Sequence, residues 1–139
     1  MDYQTIYNKA AYAAINCNKD RVKANQINQL LSIFNSNAMK KIDNTLMLLM
    51  TFVMRQTMRN LFRKGSSDAI ISTLKIIKNE KINEIDKIKK KNETREFLGL
   101  LKWFFEVSDK IKVDWNAKEN QGFDSIVNSF ENWASTSRR

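Results

Sequence analysis

An all-α fold, a single compact helical bundle of about six helices spanning residues 1–139 as one domain, is predicted by three observations. No proline occurs and only three glycines do, where an average chain spends roughly 5 % of its residues on proline alone. Hydrophobic residues make up 42 % and charged residues 28 %, too apolar a balance for a disordered chain. Apolar residues also recur at three- and four-residue spacing, the helical period, along most of the length. At this size one core forms without disulfide or metal staples.

The first helix is expected over Tyr3–Cys17, where Tyr3, Ile6, Tyr7, Ala10, Ala13, Ala14 and Cys17 share a face. Its alanines suit close contact between helices. Asp20 is placed to cap a second helix reaching about Phe34, with Ile27, Leu30, Leu31 and Phe34 inward. Asn35-Ser36-Asn37 reads as a joint. A long helix follows from Asp43 or Asn44 to Lys64, its inward stripe Leu46, Leu49, Met50, Val53, Thr57 and Leu61, and Gly65 its C-terminal stop. Leu48 and Phe52 fall on the opposite side, and methionines stand at 47, 50, 54 and 58. A helix apolar nearly all round, with adaptable thioethers, suits a contact surface or an ordinary core.

Ser66 or Ser67 caps the next helix, through Ile77, with Ile70, Ile71, Leu74 and Ile77 inward. The Lys/Glu/Ile/Asn-rich stretch Asn79–Lys91 allows a helix with a narrow stripe of Ile82, Ile85 and Ile88. Its end, Lys87–Lys91, reads as a solvated hinge. Asn92 then caps Asn92–Ile111, with Glu93 and Glu96 suiting the positive end of the helix dipole. Phe97, Leu100, Leu101, Phe104, Ser108 and Ile111 form its stripe. Asn116–Gly122 is expected as a loop and Phe123–Trp133 as a short last helix carrying Phe123, Ile126, Val127, Phe130 and Trp133. Ser135–Arg139 is expected to fray.

Catalysis is disfavoured. The chain has no histidine, the commonest general base and metal ligand. One cysteine, Cys17, builds neither a disulfide nor a zinc site. The glycines Gly65, Gly99 and Gly122 are too scattered for a phosphate loop. The paired carboxylates Glu84/Asp86 and Glu93/Glu96 lie among lysines and read as capping or salt-bridging groups. No metal or cofactor is implied. Residues 1–16 contain Asp2 and Lys9 and lack a secretory apolar core. The longest apolar run, Leu46–Met54, spans about 13 Å of helix, far short of a ~30 Å hydrocarbon layer. A soluble, cytoplasmic protein without a membrane partner is expected.

Binding remains. The net charge is +9, and residues 1–64 carry ten Lys/Arg against three Asp, while residues 65–139 are nearly balanced. Such asymmetry points to a polyanion or acidic partner at the N-terminal half. Arg55, Arg59 and Arg63 recur at four-residue spacing, a row roughly 12 Å long on one helix, with Lys64 adjoining. Guanidinium forks match phosphate oxygens. Lys40, Lys41, Arg21 and Lys23 extend the patch if neighbouring helices pack alongside. No acidic residue occurs from Asn44 to Ser67, so the row is not neutralised within its own helix. Such contacts address backbone phosphates and carry no sequence specificity.

Three segments also carry a family likeness: YNKAAYAA near the start, VMRQTMRNLFRKG at Val53–Gly65, and TREFLGLLKWFF at Thr94–Phe105. In the second, Gln56-Thr57 and Lys64 match a pattern Gln-Thr-Leu-x-Phe-Leu-x-x-Lys. In the third, Thr94, Glu96, Leu98, Leu101 and Trp103 fall in register with Thr-x-Glu-Ala-Leu-x-Leu-Leu-x-Trp-Leu. On these motifs the chain resembles the small all-α subunit of type III-B (Cmr) CRISPR–Cas effector complexes and, more distantly, its type III-A (Csm) counterpart. The resemblance implies a non-catalytic antiviral subunit. It would stack with further copies of itself as an inner filament, beside other effector subunits, and touch the guide RNA and target RNA backbone. It does not transfer which residues touch RNA. The alternative reading is a helical DNA-binding or protein–protein adaptor module unrelated to CRISPR, although no helix-turn-helix pair is evident.

Overall fold

The structure, a computed structural model, describes residues 1–81 and 83–137. It is all-helical, with α1 (Tyr3–Lys19), α2 (Ala24–Ser36), α3 (Ile42–Met58), α4 (Lys64–Lys78), α5 (Glu84–Lys110) and α6 (Gly122–Ser137); a 3-10 turn at Glu119–Gln121 leads into the last. Among the described residues no helix is long and apolar enough to cross a membrane.

α1 is the central helix and packs against α4, α5 and α6. Ala10, Ala11, Ala13 and Ala14 are fully buried, because a helix surrounded on three sides has room for little beyond a methyl group. Asp2 caps it, accepting from the Thr5 N–H at 2.8 Å. α5 runs parallel to α1. The Met1 ammonium lies 2.6 Å from Glu93, and at the other end Asn18 donates to Ser108 Oγ (2.6 Å) and to the Phe105 carbonyl (3.1 Å). α4 runs antiparallel to α1, since Asp20 meets the start of α4 and Glu80, just past its end, meets Met1. α2 and α3 form an antiparallel pair, joined by Gln26–Gln56 at one end and Thr45–Asn37 at the other.

The main core gathers Phe34, Leu49, Val53, Phe62, Leu74, Phe97 and Leu101 around the alanine face. A smaller cluster of Ala11, Ile15, Ile111 and Ile126 seats α6. Gly122 makes that seat possible: a Cβ there would stand 2.8 Å from the Asn8 carbonyl oxygen and the Tyr12 nitrogen of α1.

Several element boundaries depart from the sequence expectation. The helix expected to reach Lys64 ends at Met58, and Gly65 is not its stop. Asn60 takes the left-handed conformation (φ 63°). The Leu61 and Asn60 amides then bond back to the Gln56 and Thr57 carbonyls, a closed helix terminus. Arg21 (φ 59°) ends α1 the same way, with Val22 bonding back to Cys17. Asparagine tolerates this conformation and an exposed arginine is held there by the buried Val22 behind it. Gly65 instead lets α4 approach α1, where a Cβ would meet Asn16 Oδ1 at 2.9 Å. Asp20 does not cap α2. It reaches across 46 positions to accept from the Ser66 N–H at 2.8 Å, at the start of α4.

The Lys87–Lys91 segment is no hinge. α5 begins at Glu84, capped by reciprocal bonds between Asn83 and Asp86, so Asn92 lies inside a helix rather than at its start. The isoleucine stripe is also inverted. Ile85 and Ile88 are 77 % and 66 % exposed, whereas Lys90 is 0 % exposed; Ile82 lies outside the described residues. The Lys90 Nζ donates to the Lys78 carbonyl (2.7 Å) and to Asp43 (3.2 Å), satisfying the buried charge. Register here follows the strong apolar stripe downstream, Phe97 to Ser108, which fixes the rotation of the whole helix. Of the carboxylate pairs, Glu84 and Asp86 bond as expected. Glu93 is salt-bridging too, to the Met1 ammonium at 2.6 Å and to Lys89 at 3.9 Å, although it is buried and its pKa is raised, first by that burial. α6 extends beyond the expected Trp133 through Ser137, with Arg138 and Arg139 outside the described residues.

Candidate nucleic-acid interface

Arg55 lies in the last turn of α3 and Arg59 is its C-terminal cap residue. Arg63 is the residue on which α4 begins, and Lys64 is the first residue within α4. The three arginines therefore do not form a ladder on one helix, as their spacing suggested. The chain reverses between Arg59 and Arg63, because Asn60 terminates α3 and Phe62, 1 % exposed, plunges into the core.

They are nevertheless gathered. The end of α3 faces the start of α2 through a buried amide pair, Gln56 Nε2 donating to Gln26 Oε1 at 2.8 Å. Gln56 Oε1 in turn accepts from Arg59 at 3.4 Å. The start of α4 faces the end of α1 through Asp20. One end of the bundle thus collects Lys19, Arg21, Lys23, Arg55, Arg59, Arg63 and Lys64, all exposed. Lys64 pairs with Asp68 at 3.2 Å, both groups solvent-facing, which is worth little. Among the described residues the other six make no ion pair. Asp20, the nearest carboxylate in sequence, is engaged with the backbone of α4. Lys19 is the member that sequence reasoning missed; its proximity to Arg21 and Lys23 was the available signal.

Lys40 and Lys41 do not belong to this cluster. They precede α3, and seventeen residues of helix put them about 25 Å from its other end. There they line a shallow cleft with Ile42, Asp43, Lys87, Ile88 and Lys91. Both are exposed, but the neighbouring lysines serve the fold: Lys91 donates to the Ala38 carbonyl at 2.6 Å, and Lys90 holds Asp43 and Lys78. The single patch of eight residues is therefore two, an arginine end (Arg21, Lys23, Arg55, Arg59, Arg63, Lys64) and a lysine end (Lys40, Lys41).

The motif residues of the family likeness divide between core and surface. Gln56 is buried in the amide pair, and Thr94 is buried with its hydroxyl on the Lys90 carbonyl at 2.7 Å. Leu98 and Leu101 are core residues, whereas Trp103 is exposed. No family model, no curated protein and no solved structure matches the chain.

Proposed function

We propose that the chain is a non-catalytic RNA-binding subunit of a cytoplasmic type III (Cmr-like) CRISPR effector complex, laying its arginine end against a sugar–phosphate backbone and stacking with further copies of itself. One observation carries the reading: exposed cations converge from four helix termini, and only Lys64 among them is paired to a carboxylate of the described residues. Cations left unneutralised by the fold repel one another, and a polyanion relieves that repulsion while releasing its own counterions. The motifs of Val53–Gly65 and Thr94–Phe105 supply the effector-complex setting.

The test is salt dependence. Replacing Arg55, Arg59 and Arg63 by Ala is expected to reduce the slope of log K against log salt for single-stranded RNA by about 2, at ~0.7 per lost phosphate contact. An unchanged slope rejects the arginine end as the site. Co-purification with guide RNA and other effector subunits tests the setting separately. A protein–protein adaptor is the second reading. It is favoured by α6, whose buried stripe runs on into Phe130 and Trp133, 47 % and 44 % exposed with rings 5.8 Å apart. Failure to retain RNA at low salt would favour it.

A further inference from the structure

The outer face of α3 carries a feature that a phosphate grip alone leaves unused. Met47, Thr51, Met54 and Met58 recur at spacings of four, three and four, so they form one stripe along the helix surface. Met58 is 84 % exposed, and Met47 and Met54 are each about half exposed. Leu48, also exposed, flanks the stripe. Thr51, itself exposed, spends its hydroxyl on the Met47 carbonyl at 2.8 Å. The stripe runs beside Arg55 and toward Arg59, and beyond its other end Lys40 and Lys41 precede the helix. The one carboxylate on α3, Asp43, accepts from Lys90, and the cations flank the stripe at its two ends, Lys40 and Lys41 before the helix and Arg55 and Arg59 where it finishes.

Resting on the backbone-binding reading above, we infer that this face is a track for single-stranded rather than duplex nucleic acid, the terminal cations holding phosphates while unpaired bases lie on the methionine stripe. A duplex hides its base faces inside the stack and offers the stripe nothing. A single strand offers an aromatic face at each nucleotide, and sulfur–aromatic contact favours seating it on a thioether. The cations at both ends of the stripe fit a polyanion laid along it. From Lys41 to Arg59 the track is about 27 Å long. It covers up to about eight nucleotides at the ~3.4 Å spacing of a stacked strand.

The experiment compares a fluorescein-labelled single-stranded RNA octamer with an eight-base-pair RNA hairpin by anisotropy, using the full chain at one salt concentration. The octamer is expected to bind at least about tenfold tighter. Met54→Ser with Met58→Ser is expected to weaken octamer binding about fivefold, leaving the salt slope, the hairpin affinity and the melting temperature unchanged. Equal affinity for the two probes with a neutral methionine variant, while Arg55→Ala with Arg59→Ala still lowers the slope, overturns the single-strand preference and leaves the backbone grip standing. Binding of neither probe overturns both. Concentration-dependent self-association without RNA, abolished by the methionine variant in sedimentation, also overturns the inference and assigns the face to a second copy.

Discussion

At the end of the bundle where α1 and α3 finish, the cations stand in solvent and the polar work of the fold is done by neutral amides and Asp20. At the end where α2 finishes and α5 begins, lysines themselves do that work: Lys90 sits at 0 % exposure between Asp43 and the Lys78 carbonyl, and Lys91 ties down Ala38. Both ends look alike as stretches of basic sequence. A basic side chain is therefore available for binding only where the fold has no structural use for its charge, as at the arginine end and at Lys40 and Lys41, and not at Lys90 and Lys91.

The largest effect that could break this contrast is at Lys90. Lys90→Ala removes a buried cation from two acceptors and is expected to cost about 3 kcal/mol in denaturant unfolding. A loss below about 1 kcal/mol would mean that the lysine end is as loosely held as the arginine end. Asp20→Ala tests the neutral framework beneath the arginines. Losing its bond to the Ser66 amide at the start of α4 should cost about 1 kcal/mol, with α4 loosening from α1.

Cys17 offers a local readout of the same change. Burial raises its thiol pKa above the ordinary range, and the nearby Asp20 charge adds to this. The native protein is expected to resist iodoacetamide. Alkylation followed by mass spectrometry should accelerate about fivefold in Asp20→Ala, the factor that ~1 kcal/mol of easier opening provides. Rapid labelling of the unmodified chain would contradict the packing at this end.

The smallest effect sharpens the comparison most. Arg55, Arg59 and Arg63 replaced together by Ala should change stability by no more than about 0.5 kcal/mol in the same unfolding assay. A loss of several kcal/mol would show these arginines to be as structural as Lys90.

Much of the fold was legible because its signals are local and strong. The alanine face of α1, the stripe from Phe97 to Ser108 and the Ile70–Ile77 stripe each bury as their periodicity indicates. The weak stripes misled. Ile85 and Ile88 fit helical spacing, yet they face solvent because α5 is one continuous helix whose rotation the stronger downstream stripe sets. The candidate site was legible in composition but not in geometry. Four-residue spacing put Arg55, Arg59 and Arg63 on one helix, and nothing short of the packing of Phe62 shows that the chain turns back between them. Asp20 looked like a local cap because sequence displays only near neighbours, while its acceptor role is fulfilled 46 positions away.

By itself the sequence determined the helical class, the approximate number of elements, the apolar faces and the excess of unneutralised cations in residues 1–64. These follow from backbone propensity, periodicity and charge count, which need no partner. Only the tertiary structure decided which charges are free. Burial and ion pairing depend on residues far apart in the chain, so folding alone could separate Arg55, Arg59 and Arg63, left in water, from Lys90, consumed within the bundle.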